Sequence, residues 1–101
     1  MKQIDEIGTK ICRAQANIFV ASLSETSCSS AVFLRRYMNS EFARRMDEGS
    51  YLFESGSEKT AVSEIEEQFG KTDYGKAKYT EEELYWMGYL YRYWCYTYEK
   101  S

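Results

Sequence analysis

The sequence has no histidine and no proline among its 101 residues. Without histidine, the chain lacks the usual general base, the commonest metal ligand and the side chain that titrates near neutral pH. Without proline, no residue interrupts a helix from within, and the six glycines lie mostly between segments. These absences argue against most hydrolytic and metal-dependent enzymes, and they favour a helical protein.

Cysteine is scarce, and its spacing matches no zinc-binding pattern. The three cysteines are Cys12, Cys28 and Cys95, and a cysteine nucleophile would have no imidazole partner. We interpret them as small core residues in a reducing compartment, with a disulfide as the alternative. No glycine-rich phosphate-binding motif is present. We therefore predict that the protein is not an enzyme, has no catalytic residue and needs no metal or cofactor.

Long apolar runs are absent as well. No segment approaches the length of a membrane span, and the first ten residues, MKQIDEIGTK, have no apolar stretch typical of a signal peptide. Hydrophobic residues make up 44% of the chain and charged residues 29%, which is typical of folded soluble domains. We predict one small domain over residues 1–101, in the cytoplasm, with no membrane contact.

Charge is divided unequally along the chain, although the net charge is only −3. Residues 1–46 hold seven Lys or Arg against four Asp or Glu, whereas residues 47–101 hold six against twelve. Either the two halves complement each other within one fold, or the acidic half faces a basic partner.

Periodicity predicts a long first helix over residues 3–23. Its apolar residues alternate at steps of three and four: Ile4, Ile7, Ile11, Ala14, Ile18 and Ala21. This seam favours packing within the chain, with a homodimer as the alternative. Ser29 or Ser30 can then cap a second helix over residues 31–38. The apolar face of that helix comprises Phe33, Leu34, Tyr37 and Met38.

The middle of the chain is less regular. Asn39 and Ser40 offer a break, so the residues that follow form either a short third helix closed by Gly49 or the rest of one kinked helix. A loop comes next, with a brief strand near Tyr51 as an alternative.

Two later helices have clear boundary signals. One runs from about Ser57 to Phe69 and is ended by Gly70. Its apolar face comprises Val62, Ile65 and Phe69. The other begins after Thr80, which forms a capping box with Glu83.

The segment behind that capping box, YWMGYLYRYWCYTYEK (residues 85–100), has large rings on every side of a helix; a strand is the alternative. One stripe carries Met87, Leu90 or Tyr91, Trp94 and Tyr98, and another carries Tyr85, Tyr89, Arg92 or Tyr93, and Tyr96. At Gly88 a neighbouring backbone can approach closely. A small domain can bury only one broad face of this helix, so we predict that half is core and half contacts a partner. The predicted partner-binding residues are Tyr85, Trp86, Tyr89, Tyr93, Trp94 and Tyr96, with the acidic Glu64 and Glu67.

Paired arginines form the main basic feature of the chain. They are Arg35, Arg36, Arg44 and Arg45. A helix–turn–helix protein places such residues against DNA, so we consider them as nucleic-acid contacts. Because the chain is acidic overall, we favour a solvated basic face or one that pairs with the acidic half, and nucleic-acid binding is the weaker alternative.

Two segments resemble a known group of proteins. YGKAKYTEEELYWMGYLYRYW (residues 74–94) and SSAVFLRRYMNSEFARRMD (residues 29–47) are similar to runs in small antitoxin-like proteins of Firmicutes and their mobile elements. The resemblance implies a protein partner, a toxin encoded nearby, and it carries no catalytic residue.

These observations predict an all-α fold, a small bundle of four to five helices with long N- and C-terminal helices. The first functional hypothesis is a non-enzymatic, antitoxin-like module that neutralises a partner through its aromatic helix and acidic surface. The second is a phage or mobile-element inhibitor, of the anti-CRISPR type, whose carboxylates mimic nucleic acid. The third is a small DNA-binding regulator that uses the arginine pairs. A homodimer through the isoleucine seam or the aromatic helix is a further alternative.

Overall fold

The computed structural model describes residues 6–47 and 57–98, and every regular element within those ranges is an α-helix. In chain order the helices are α1 (Glu6–Glu25), α2 (Ser30–Met38), α3 (Glu41–Asp47), α4 (Ser57–Phe69) and α5 (Glu81–Tyr98). The predicted all-α bundle with long first and last helices is confirmed. The predictions made for Gly49 and Tyr51 lie outside the described residues. None of the helices described is both long and apolar enough to cross a membrane.

Helix α1 is the centre of the bundle. Helices α5, α4 and α2 all pack against it, and its contact with α5 is the most extensive. Because α1 is covered from several directions, its buried residues occupy a broad face, which a narrow heptad seam does not describe. The buried residues of α1 are Gly8, Ile11, Cys12, Gln15, Ala16, Ile18, Phe19 and Ser22.

The predicted seam on α1 is therefore only partly right. Ile11 and Ile18 are buried within the single chain, which agrees with the favoured interpretation of packing within the fold. In contrast, Ile7 is 58% exposed. Two further seam residues, Ala14 and Ala21, are only partly buried, and Ile4 lies outside the described residues.

Three aromatic rings from α1 and α2 form the middle of the core. The Phe19 ring meets the Tyr37 ring edge-on, with 4.9 Å between centroids, and the Phe33 ring at 6.2 Å. Such edge-to-face pairs contribute about 0.5–1.5 kcal/mol beyond the burial of their area. The predicted apolar face of α2 is correct for Phe33 and Tyr37, whereas Leu34 is half-buried and Met38 is exposed.

Helices α2 and α3 are separate, as one of the two alternatives predicted. The Ser40 hydroxyl accepts a hydrogen bond from the Ala43 N–H at 3.0 Å and so caps the start of α3. Ser29 caps α2 in the same way, since its hydroxyl accepts from the Val32 N–H at 3.2 Å. The break means that the two arginine pairs do not lie on one continuous helix.

Helix α4 buries Ala61, Val62 and Ile65. Phe69, predicted for the same face, is 37% exposed, because it lies in the last turn where the helix leaves the core. Gly70 ends α4 with a positive φ of 84°, a backbone conformation that glycine adopts without strain.

The polar segment between α4 and α5 is held against the start of α2. The Ser29 N–H donates to the Tyr74 carbonyl at 3.1 Å, and the Ser30 N–H donates to the Ala77 carbonyl at 3.0 Å. The Ser30 hydroxyl in turn accepts from the Tyr79 N–H at 2.9 Å. The Ser30 N–H, which begins α2 and has no partner within the helix, is thus satisfied by the loop, and the loop leads the chain to the start of α5.

The capping box at the start of α5 is confirmed. The Thr80 N–H donates to Glu83 Oε1 at 2.9 Å, and the Glu83 N–H donates to Thr80 Oγ1 at 3.0 Å. Just before it, Lys78 Nζ donates to the Thr26 carbonyl at 2.9 Å, beyond the end of α1. These contacts fix where α5 begins relative to the end of α1.

Candidate functional site on the last helix

Helix α5 buries a side made of small and polar residues together with one leucine. Leu84, Gly88, Arg92 and Cys95 recur at steps of three and four, so they share one side of the helix, and all are buried. A Cβ at Gly88 would lie 2.9 Å from the Ala16 Cα. The predicted close approach of a neighbouring backbone at Gly88 is therefore confirmed, and the neighbour is α1.

Neither of the two stripes predicted on α5 coincides with this buried side. In the first stripe Met87, Leu90, Tyr91 and Trp94 are all exposed; in the second, Tyr85 and Tyr89 are half-buried, Tyr93 is exposed and Arg92 is buried. The physical reason is the close contact at Gly88. Helices that touch through small residues bury those residues and leave the large rings on the outside. The side chains of Tyr96 and Tyr98 are not among those described.

The opposite side of α5 is a continuous apolar surface, which we call the outer apolar face. It consists of Trp86 (49% exposed), Met87 (41%), Leu90 (56%), Tyr93 (39%) and Trp94 (47%). Of these, Trp86, Tyr93 and Trp94 were predicted to bind a partner. Met87 and Leu90 were placed on a stripe but not among the binding residues, although their spacing from Trp94 is the signal that could have identified them.

Three rings at the start of this face hold one another in place. The Trp86 ring meets Tyr85 at 5.2 Å and Tyr89 at 5.5 Å, both edge-on, and the Tyr85 and Tyr89 rings stack at 6.2 Å. Such a cluster restricts the rotamers of its members before any partner arrives, and this lowers the entropy cost of binding.

A shallow depression lies at the same end of the outer apolar face. It is lined by Tyr79, Glu83, Trp86, Met87 and Leu90. Its wall is mostly apolar, and its one charged side chain is a carboxylate. A depression of this composition can accept a large apolar side chain that has a positive charge beside it.

The charges exposed by α5 are all negative. Glu81, Glu82 and Glu83 are exposed in its first turn. Arg92, the helix's one basic residue, is only 3% exposed. The N-terminus of a helix carries about half a positive charge, which is smaller than the sum of three carboxylates. The charge exposed by the first turn of α5 is therefore negative, and Lys76 and Lys78 are exposed on the loop that precedes it.

Arg92 belongs to a buried polar network that the sequence analysis missed. Its Nε and Nη2 atoms donate to Gln15 Oε1 at 3.1 and 2.9 Å, and the Tyr37 hydroxyl donates to the same oxygen at 2.6 Å. Gln15 Nε2 donates to the Gly88 carbonyl at 2.8 Å. One glutamine thus joins α1, α2 and α5. A polar residue inside an apolar helical pattern was the available signal.

The three cysteines are buried and none is in a disulfide, which agrees with the interpretation of them as small core residues. Burial raises the pKa of the Cys12 thiol to about 11, and the positive charge of Arg92 opposes this shift only in part. At neutral pH Cys12 is therefore protonated and a poor nucleophile.

The arginine pairs are largely engaged within the fold. Arg36 lies over the Phe69 ring at 5.6 Å and donates to the Gly70 carbonyl. Arg45 forms an ion pair with Glu64 at 2.5 Å, which connects the basic half of the chain to the acidic half. This contact favours the predicted pairing of the two halves over a DNA-reading surface.

The remaining arginines differ from each other. Arg44 pairs with Glu41 at 2.5 Å on α3, and this hydrogen bond lowers the pKa of the Glu41 carboxyl. Arg35 is exposed on α2. The four arginines are thus distributed over two helices and several local interactions.

The two acidic residues predicted to bind a partner are not on the same helix as the rings. Glu64 and Glu67 lie on α4, and Glu64 is already paired with Arg45. Glu67 is exposed. Both α4 and α5 pack against α1.

Comparisons of the chain with protein-family models, with curated proteins and with solved structures find no match. Within residues 6–47 and 57–98, no group of three or more His, Cys, Asp or Glu side chains could hold a metal ion.

Proposed function

We propose that the protein is a non-enzymatic protein-binding module that neutralises a partner protein in the manner of an antitoxin. Binding uses the outer apolar face of α5 and the acidic surface beside it. The observation that carries the proposal is the exposure of Trp86, Met87, Leu90 and Trp94 along one side of one helix. Scattered exposed apolar residues are ordinary, but a contiguous patch of them is typical of an interaction site.

The composition of the face suits tight binding. Tryptophan and tyrosine supply a large part of the energy at protein interfaces, and single hot-spot residues contribute about 2 kcal/mol or more. Fully burying a leucine or methionine side chain contributes about 1.5–3 kcal/mol. Two tryptophans with Leu90 and Met87 between them therefore provide enough apolar surface for the centre of an interface.

The antitoxin-like part of the proposal rests on the resemblance drawn from residues 29–47 and 74–94, and the second segment contains the whole outer apolar face. Neutralisation by occupying a partner's surface needs no catalytic group, which accords with a chain that has no histidine. We propose the cytoplasm as the compartment of this activity, and the three buried cysteines, none of which is in a disulfide, agree with that proposal.

The direct test is capture of the partner from the native host. The tagged protein and its Trp86→Ala/Leu90→Ala variant are compared, with Tyr74→Ala as the matched control, since Tyr74 is 74% exposed outside the face. We expect the parent and Tyr74→Ala to capture the same protein and the double variant to lose it with an unchanged circular dichroism spectrum. Equal capture by the double variant would refute the proposal.

A second candidate function is inhibition of a nucleic-acid enzyme, and the exposed carboxylates of Glu81, Glu82 and Glu83 favour it. In that case the captured partner is a nucleic-acid enzyme. Single-stranded DNA or RNA then competes with this protein for the partner's channel. This candidate is excluded if single-stranded DNA or RNA does not displace the captured partner from this protein.

A further inference from the structure

We infer that the occupant of the outer apolar face is a basic amphipathic helix, presented by the partner and laid lengthwise along α5. This inference rests on the proposed function, and it adds the chemistry and shape of what is bound.

The shape of the face carries the first step. Trp86, Leu90 and Trp94 follow one another at intervals of four residues and so form a ridge inclined by about 26° to the helix axis. The ridge spans about 12 Å at the rise of an α-helix. A straight apolar ridge of this kind packs along the grooves between side chains of another helix, which contributes an apolar residue at every third or fourth position.

The depression carries the second step. Tyr79 belongs to the loop before α5, so it forms a wall beside Trp86, Met87 and Leu90 that a bare helix would lack. The depression can therefore bind one large apolar side chain at the N-terminal end of α5. Glu83 lines the same depression, so the best neighbour for that side chain is Lys or Arg.

The third argument is charge, which distinguishes a basic helix from an acidic or a neutral one. The first turn of α5 exposes three carboxylates, whereas the one basic residue of the helix, Arg92, is buried. An acidic helix would be repelled at this end of the face, and a neutral one would gain nothing from it. A helix with Lys or Arg flanking its apolar stripe is attracted, most strongly at low salt.

The same charges argue against a second copy of this chain. In a parallel pairing of two α5 helices the two sets of three carboxylates would be neighbours. In an antiparallel pairing each set would lie beside the C-terminal end of the other helix, where the helix dipole is also negative. Both arrangements place like charges together, so the predicted homodimer through this helix is an outcome of the test rather than the proposal.

The test uses two synthetic helical peptides of 18 residues, the length of α5, with the same apolar stripe. One carries Lys at every flanking position and the other carries Glu. Binding of each labelled peptide to the full-length protein is measured by fluorescence anisotropy. We expect the Lys peptide to bind at least about tenfold more tightly than the Glu peptide, and this preference to shrink as NaCl rises from about 50 to about 500 mM.

Two variants separate shape from charge. Trp86→Ala/Leu90→Ala should lose the Lys peptide, whereas Tyr74→Ala should not. Glu81→Gln/Glu82→Gln should reduce the preference for the Lys peptide several-fold, and it leaves the Thr80–Glu83 capping box intact. Its matched control is Glu6→Gln, an exposed carboxylate in the first turn of α1, which should have no effect. Thermal melts of all variants verify that the fold is retained.

The inference is overturned if the Glu peptide binds as well as the Lys peptide, if neither binds, or if the charge variant has no effect. It is also overturned if sedimentation shows a dimer that Trp86→Ala/Leu90→Ala disrupts. The proposed function fails separately, when capture of the native partner does not depend on the outer apolar face. If capture depends on the outer apolar face but the protein binds both peptides equally well, the inference of a basic helix is refuted and the proposed function stands.

Discussion

Replacing Gly88 with alanine puts a methyl group at the tightest contact between α5 and α1. The new Cβ would lie 2.9 Å from the Ala16 Cα and 3.0 Å from the Gln15 carbonyl oxygen. Both are backbone atoms, so neither can rotate away. The two helices must separate by a fraction of an ångström, along the most extensive helix pair in the fold.

The change in the free energy of unfolding has three contributions, two that destabilise the fold and one that stabilises it. Overpacking of a well-packed site costs about 1–3 kcal/mol. Weakening the buried hydrogen bond from Gln15 Nε2 to the Gly88 carbonyl adds about 1 kcal/mol. The higher helix propensity of alanine returns about 1 kcal/mol. We therefore expect Gly88→Ala to lower the free energy of unfolding by about 1–3 kcal/mol, since the last two contributions roughly cancel.

Urea and thermal unfolding followed by circular dichroism measure this loss. For a domain of this size it corresponds to a fall in Tm of roughly 4–8 °C per kcal/mol. Ser63→Ala is the matched control, because Ser63 is exposed on α4 and alanine there should be neutral or slightly stabilising. A Gly88→Ala protein as stable as the parent would refute the close contact between α1 and α5.

Three further predictions concern the supports of α5 and the core. Tyr37→Phe removes the hydroxyl that donates to Gln15 Oε1 and should cost about 1 kcal/mol in urea unfolding; an unchanged midpoint would contradict the network. Thr80→Ala removes the hydroxyl of the capping box with Glu83 and should cost about 0.5–2 kcal/mol, whereas an unchanged Tm would show that the box contributes nothing. Because burial raises the pKa of Cys12 from 9.0 to about 11, the thiol ionises more readily in the unfolded chain. The contribution of Cys12 to the free energy of unfolding is therefore complete below pH 9, and it is lost as pH rises toward 11. Cys12→Ala should lessen the decline of stability over that range, and an identical decline in both proteins would contradict the assignment.

Local signals in the sequence predicted most helix boundaries. The capping box at Thr80 and Glu83, the serine cap before α2 and the glycine after Phe69 each act through atoms a few residues apart, so they can be read without knowing the fold. Absence of proline and of histidine predicted helices and argued against hydrolytic chemistry before any contact was known.

The side of α5 that faces the core could not be predicted from the sequence. Rings occur all around this helix, so its apolar pattern has no strong direction and favours no one side as the core. Which side is buried depends on α1, where Gln15 is 73 positions from its partner Gly88 in sequence. There, Gln15 and Ala16 present a surface that fits Gly88 and receives Arg92.

The sequence by itself determined that the chain is helical, where α5 begins, and that this helix carries more aromatic surface than a small domain can bury. Only the tertiary structure decided that Trp86, Leu90 and Trp94 are the surplus and that Gly88 and Arg92 are inside. The physical reason is that two helices in close contact bury the residues that let their backbones approach. The large rings are then left exposed on the opposite side.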